Sequence, residues 1–252
     1  MISDPLRVAN CSGFFGDRLA AAKEMVEGGP IDVLTGDYLA ELTMAILMRQ
    51  RMKDPDSGYA RTFLTQMEAV LAQCVSRDIK VVANAGGLNP HGLAAAVRKL
   101  ANRLGISVTV ATVTGDDLMP RMDELADELT NLATGERLAD RGLSLVTANA
   151  YLGGWGIAEA LSRGADVVLT GRVTDAALVV GPAAWWFGWE RDDWDALAGA
   201  VVAGHVIECG AQATGGNYSF FAEVPGLDRP GFPIAEIHPN GSSVITKPVS
   251  YT

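Results

Sequence analysis

The chain has 252 residues, 48% apolar and 20% charged, which is enough for a large α/β core and too apolar for a disordered chain. Twenty Lys and Arg against 30 Asp and Glu leave a formal net charge of −10, which argues against nucleic acid as a partner because phosphate binding needs a basic stripe. No apolar run approaches the ~18 residues of a membrane span, so no membrane partner is expected. The N-terminus shows no basic region followed by an apolar one, so no secretory signal is expected either. Three cysteines, Cys11, Cys74 and Cys209, form no C-x-x-C pair; this fits a reducing, cytoplasmic setting.

From the N-terminus a unit recurs in which a short β-branched run ends in a small or polar residue and a helical pattern follows. Leu6–Asn10 leads through Cys11, Ser12 and Gly13 to a helix over 17–27. Residues 31–35 end in Gly36 and Asp37 and lead to a helix over 38–51. A polar turn over 52–59 precedes an inserted helix over 60–77. Lys80–Ala83 ends in Asn84, Ala85, Gly86 and Gly87 before a helix over Pro90–Leu104. Residues 107–112 end in Thr114, Gly115, Asp116 and Asp117 before a helix over 118–132. Residues 144–147 end in Asn149 and lead through Gly153, Gly154 and Trp155 to a helix over 157–163. Residues 165–169 end in Thr170, Gly171 and Arg172 before a helix over 175–180. The knot of Trp185, Trp186, Phe187 and Trp189 reads as core or subunit-interface packing, which leans towards a homo-oligomer. Residues 192–205 read as a further helix, and short antiparallel strands are expected over 220–224, 234–238 and 243–249.

The strand runs are nearly unbroken, as expected of strands buried on both faces. Six such units predict an α/β fold with a doubly wound, mostly parallel sheet, crossover helices and a small C-terminal antiparallel β segment. The expected division is a parallel α/β domain over 1–205 and a Gly-rich loop and strand extension over 206–252. A terminal strand with no capping element reads as the front part of a longer protein, or as an end paired with a partner.

In an open parallel sheet, ligands bind beyond the carboxyl ends of the strands. Asp37, Asp116, Asp175, Asn84 and Asn149 gather there as candidate catalytic groups. Gly13, Arg18, Gly86, Gly87, Gly153, Gly154, Arg172, Gly215, Gly216 and Asn217 are the candidate substrate-binding residues. Each has a plain structural reading: short polar side chains cap helices, and glycines make tight turns. Arg172 resists capping, because a cation at a helix N-terminus opposes the macrodipole; it reads either as an ion pair with Asp175 or as an anion holder. His205, Glu208 and Cys209 form the most concentrated polar segment. There is no G-x-G-x-x-G, no P-loop and no G-x-S-x-G elbow. The three histidines lack ligand spacing, and the spacing of the aspartates leaves a divalent metal open without supporting it.

The segments VANCSGFFGDR (8–18), LTGDYLAE (34–41), ANAGGLNP (83–90), NAYLG (149–153), TGRVTDAA (170–177) and ECGAQATGGN (208–217) resemble, in order, the N-terminal portion of the acyclic terpene utilisation protein A (AtuA) family. The resemblance covers nearly the whole chain. It implies a part in the catabolism of acyclic terpenoid or branched carboxylates processed as coenzyme A thioesters, with coenzyme A as a substrate moiety. It supplies no catalytic residues. The expectation is an acyl-CoA enzyme, lyase- or hydratase-like, and the alternative is a non-catalytic ligand-binding or scaffold subunit of such a catabolic assembly.

Overall fold

A computed structural model describes residues 4–227 and 229–248. The chain runs β1 (Leu6–Asn10), α1 (Ala21–Glu27), β2 (Val33–Gly36), α2 (Glu41–Lys53), α3 (Arg61–Ser76), β3 (Lys80–Ala83), α4 (Pro90–Leu104) and β4 (Val110–Val113). It continues through α5 (Met122–Leu125), α6 (Trp155–Ser162), β5 (Val167–Thr170), α7 (Ala177–Phe187), α8 (Trp194–Ile207), β6 (Ile234–Ile237) and β7 (Ser243–Thr246). Among the described residues the strands form one sheet in the order β4-β5-β3-β2-β1-β6-β7. Strands β1 to β5 pair in parallel, β6 runs antiparallel to β1, and β7 antiparallel to β6. The fold is therefore α/β with a mostly parallel sheet and an antiparallel C-terminal edge.

The pleat explains why the strand runs are unbroken. Successive side chains point to opposite faces. Val81, Ala83, Val167 and Leu169 join one core with α1, α3 and α4, while Val8, Val82 and Val168 join a second core with α6, α7 and α8. Both faces are covered, so the central positions of these strands are apolar on either side, and each buried Val or Leu contributes about 1.5–3 kcal/mol. The helix α4 shows how local sequence sets an element. Asn89 caps it by accepting from the Gly92 amide at 2.8 Å, and Pro90 opens it. Leu93, Val97, Leu100 and Ala101 form its buried stripe, and Gly105, at φ 69°, ends it.

The connections create the crevice. Strand β3 leaves to α4 on one face, whereas its neighbour β5 leaves to α7 on the other. Adjacent strands whose crossovers part in this way open a gap at their carboxyl ends.

Three local expectations do not hold. Residues 144–147 form no strand, because no helix layer covers them; they lie on an exposed excursion between β4 and α6, with Val146 58% exposed. Parallel βα units therefore number five among the described residues, not six. The helix expected over 118–132 reduces to a 3-10 turn, Met119–Arg121, and α5. Leu129 and Leu132 find no partner layer there and stay exposed. Residues 220–224 form a 3-10 turn over Phe221–Glu223 in place of a strand. The last expected strand ends at Thr246, and position 249 lies outside the described residues. No helix among the described residues is long and apolar enough to cross a membrane.

Candidate functional site

The pleat that sorts the apolar residues also sorts the polar ones. Asn10, Thr35, Asn84 and Thr170 stand two residues beyond Val8, Val33, Val82 and Val168, so they face the α6–α8 layer. Together with Asp37, Asp116 and Arg172, they are buried at the carboxyl edge of the sheet. Burying so many polar groups is costly unless each is paired. How they pair divides the site into two polar centres and a cleft.

The first centre is acidic. Asp37 follows β2, Asp175 precedes α7, and Glu208 ends α8. One carboxylate oxygen from each lies within 4.8 Å of the others. The Oδ1 atom of Asp37 accepts from the Asn84 side-chain amide at 2.6 Å and from the Leu39 amide at 3.0 Å. Asn84 is itself fixed by accepting from the Tyr38 amide at 2.7 Å. Beyond these bonds the centre is under-satisfied. Asp37 Oδ2, Asp175 Oδ1 and Thr35 Oγ1 are buried without a hydrogen-bond partner. At 4.8 Å and an effective dielectric of about 20, two like charges repel by about 3 kcal/mol before solvent screening. Burial pushes the Asp37 carboxyl up to about 7, against the pull of Asn84 and the Leu39 amide; the charges of Asp175 and Glu208 push the same way. Burial and the Glu208 carboxylate likewise raise the Cys209 thiol, to about 12. Its Sγ donates to Glu208 Oε1 at 2.9 Å.

The second centre is a latch. Asp116 Oδ2 accepts from the Asn149 side chain at 2.9 Å and from the Arg172 amide at 2.8 Å. A Cβ on Gly171 would sit 2.3 Å from that oxygen, so glycine is required for the approach. The bridge between Asp117 and Asn149 closes the base of the exposed excursion against the end of β5. Asp116 and Asn149 thus anchor a loop, and they stand apart from the acidic trio.

Arg172 links the parts. Its guanidinium donates to the Leu39 carbonyl at 2.6 Å and lies over the Tyr151 ring at 4.2 Å. It is 3.8 Å from Glu41 and 3.9 Å from Asp175, with a side chain only 5% exposed. Tyr151 in turn donates its hydroxyl to Glu41. Of the two readings left open by the sequence, the ion pair with Asp175 is the one the contacts display. The guanidinium is directed at protein groups.

The cleft, of about 530 Å³, lies between α6, α7 and α8. Its apolar walls include Tyr151, Trp155, Val180, Leu197 and Val201; Thr174, Asp175 and His205 supply polar groups. Gly153 and Gly154 line it at the start of α6. A Cβ on Gly154 would meet the Gly181 amide at 2.7 Å, so this glycine lets α6 and α7 touch.

The remaining predicted glycines have packing work. Gly86 lies against the Thr170 carbonyl, where a Cβ would be 2.5 Å away, and Gly87 adopts φ 51° beside Leu47. Gly13 donates to Asp17. Arg18 pairs with Glu24 and lies over Phe232. Gly215, Gly216 and Asn217 sit in a turn after the 3-10 helix Gly210–Thr214, with Gly215 at φ 110°. The sequence marks Glu208 only as part of the polar segment with His205 and Cys209, not as a candidate catalytic or binding residue. Glu208 had a usable signal, because a carboxylate at a helix C-terminus opposes the macrodipole.

Fold and site together define a three-layer α/β protein whose strand ends carry an acidic crevice opening on an apolar cleft. The chain belongs to the family described as acyclic terpene utilisation family protein AtuA, whose model matches residues 6–251. No curated protein and no solved structure matches it significantly.

Proposed function

We propose that the chain is a catabolic enzyme acting on a branched-chain or acyclic terpenoid acyl group carried as a coenzyme A thioester. The observation behind this reading is that Asp175 belongs to both the carboxylate centre and the apolar cleft. A branched hydrocarbon needs apolar walls, and Val180, Leu197 and Val201 provide them. Hydratase- and lyase-like reactions beside a thioester both move a proton at carbon or at a hydroxyl. Asp175 is the carboxylate placed to exchange that proton with a chain in the cleft, and His205 is a second acid–base group on its wall. The start of α6 at Gly153 and Gly154 supplies backbone donors for a developing thioester oxyanion. Arg172, Asn84 and the Asp116–Asn149 latch act as positioning residues, holding Asp175, Asp37 and Tyr151 respectively.

Purified protein should consume at least one branched acyl-CoA, measured as thioester loss. Asp175→Asn should lower kcat by about a hundredfold or more while leaving KM within a few-fold. The absence of both consumption and thermal stabilisation with every branched acyl-CoA would contradict this reading. That outcome favours a scaffold subunit, for which exposed Tyr218, Phe220 and Phe221 offer a contact surface.

A further inference from the structure

Three carboxylates converge at the carboxyl edge of the sheet without enough positive charge to balance them. Among the described residues neither Asp37 nor Glu208 has an ion-pair partner. Asp175 shares Arg172, at 3.9 Å, with Glu41 and the Leu39 carbonyl. An acidic cluster alone is common on protein surfaces, but this one has a buried floor. Asp37 is 3% exposed, and its Oδ2 has no partner. Thr35, outside the cluster, is 2% exposed, and its Oγ1 is also unpartnered. Thr35 lies two residues beyond Val33, whose side chain joins the core with α6, α7 and α8. The pleat therefore turns its side chain towards the layer that carries Asp175 and Glu208. An orphaned hydroxyl and an orphaned carboxylate oxygen in one buried region are an unmet demand for a ligand.

We infer that Asp37, Asp175 and Glu208, with the Thr35 hydroxyl beneath them, form a site for one hard divalent cation. Every donor is oxygen, which selects Mg²⁺, Mn²⁺ or Ca²⁺ over softer ions. The spacing fits such a sphere. A metal–oxygen distance of about 2.1–2.5 Å puts opposite ligands about 4.2–5 Å apart, and the three carboxylate oxygens lie within 4.8 Å of one another. Entry is open from the cleft, because the Asp175 side chain is 35% exposed. The inference stands apart from the acyl-thioester reading, since cation binding is measured with no thioester present.

The test is titration of the whole, chelator-treated chain with Mn²⁺, following free Mn²⁺ by electron paramagnetic resonance. One equivalent should bind, with Mg²⁺ or Ca²⁺ competing. Glu208→Gln, at a half-buried position that tolerates the change, should weaken binding by about tenfold or more. Thr35→Val, which removes only the hydroxyl, should weaken it less while circular dichroism stays unchanged. No saturable Mn²⁺ binding to the wild-type chain would overturn the site. Binding that survives undiminished in a Glu208→Gln, Asp175→Asn double variant would overturn it equally.

Discussion

Asp37 shows how a single side chain carries conflicting demands. Its Oδ1 has two good donors while its Oδ2 is buried without one, and two further carboxylates lie within 4.8 Å of its carboxylate. The isosteric change Asp37→Asn keeps the acceptor and turns the orphaned oxygen into a donor towards Asp175 and Glu208. In cation-free buffer this variant should be more stable than the wild type by about 1–2 kcal/mol, read as a higher urea midpoint, and should lose activity. A lower midpoint would mean that the trio is not the strained centre described above. A buried acid beside two others marks a candidate functional site. Much of this was legible at the residue level. Asp37, Asn84 and Asp175 sit where strand meets helix, and their presence at one edge follows from parallel topology alone. Glu208 was harder to foresee, because it reaches the centre from the far end of α8, 33 positions after Asp175. Nor does position reveal that Asp116 and Asn149 bond to each other and not to the trio. Residues at the same sheet edge differ in height and direction, which only packing decides.

At the scale of elements, the pleat and crossovers account for what could be read in advance. Strands covered on both faces are apolar at successive central positions, so β1, β3 and β5 announce themselves. The run over 144–147 has the same composition and no strand forms there, because apolar character becomes a strand only when neighbours offer both hydrogen bonds and a covering layer. The excursion that contains it is tied at its base by Asp116, the Asn149 side chain and the Arg172 amide. Its middle is largely exposed, with Leu132, Leu143 and Val146 in solvent. Limited proteolysis should therefore cut within 118–148 first, and Asp116→Ala should speed that cleavage about tenfold by releasing the base. First cleavage elsewhere, or an unchanged rate in the variant, would remove Asp116 from its role as latch.

Across the whole molecule, two cores sandwich one sheet, and the larger of them buries Cys11 and Cys74. Burial pushes both thiols from an ordinary 9.0 up to about 12. Unfolded, they lose their protons near 9; folded, they keep them until about 12. The folded chain thus binds more protons across that interval, and stability must fall as pH rises through it, by about 1.4 kcal/mol per unit for each thiol. Urea unfolding between pH 8 and 10.5 should show the decline, and a Cys11→Ala, Cys74→Ala double variant should make it shallower, with Cys209 contributing the remainder. An equal slope in the variant would show that other groups govern alkaline stability. The proposed function rests on the same architecture, in which the sheet edge holds the carboxylates while α6, α7 and α8 wall the cleft beside them.

In the proposed function this cleft receives the acyl chain of a thioester next to Asp175. The most direct measurement is photolabelling with a branched acyl-CoA that bears a diazirine at the end of its chain, followed by mass spectrometry of the labelled peptides. Labels are expected on α7 and α8 at the cleft wall, around Val180, Leu197 and Val201, suppressed by excess unlabelled thioester. Labels confined to the excursion over 118–148 or to the exposed aromatics at 218–221 would contradict it.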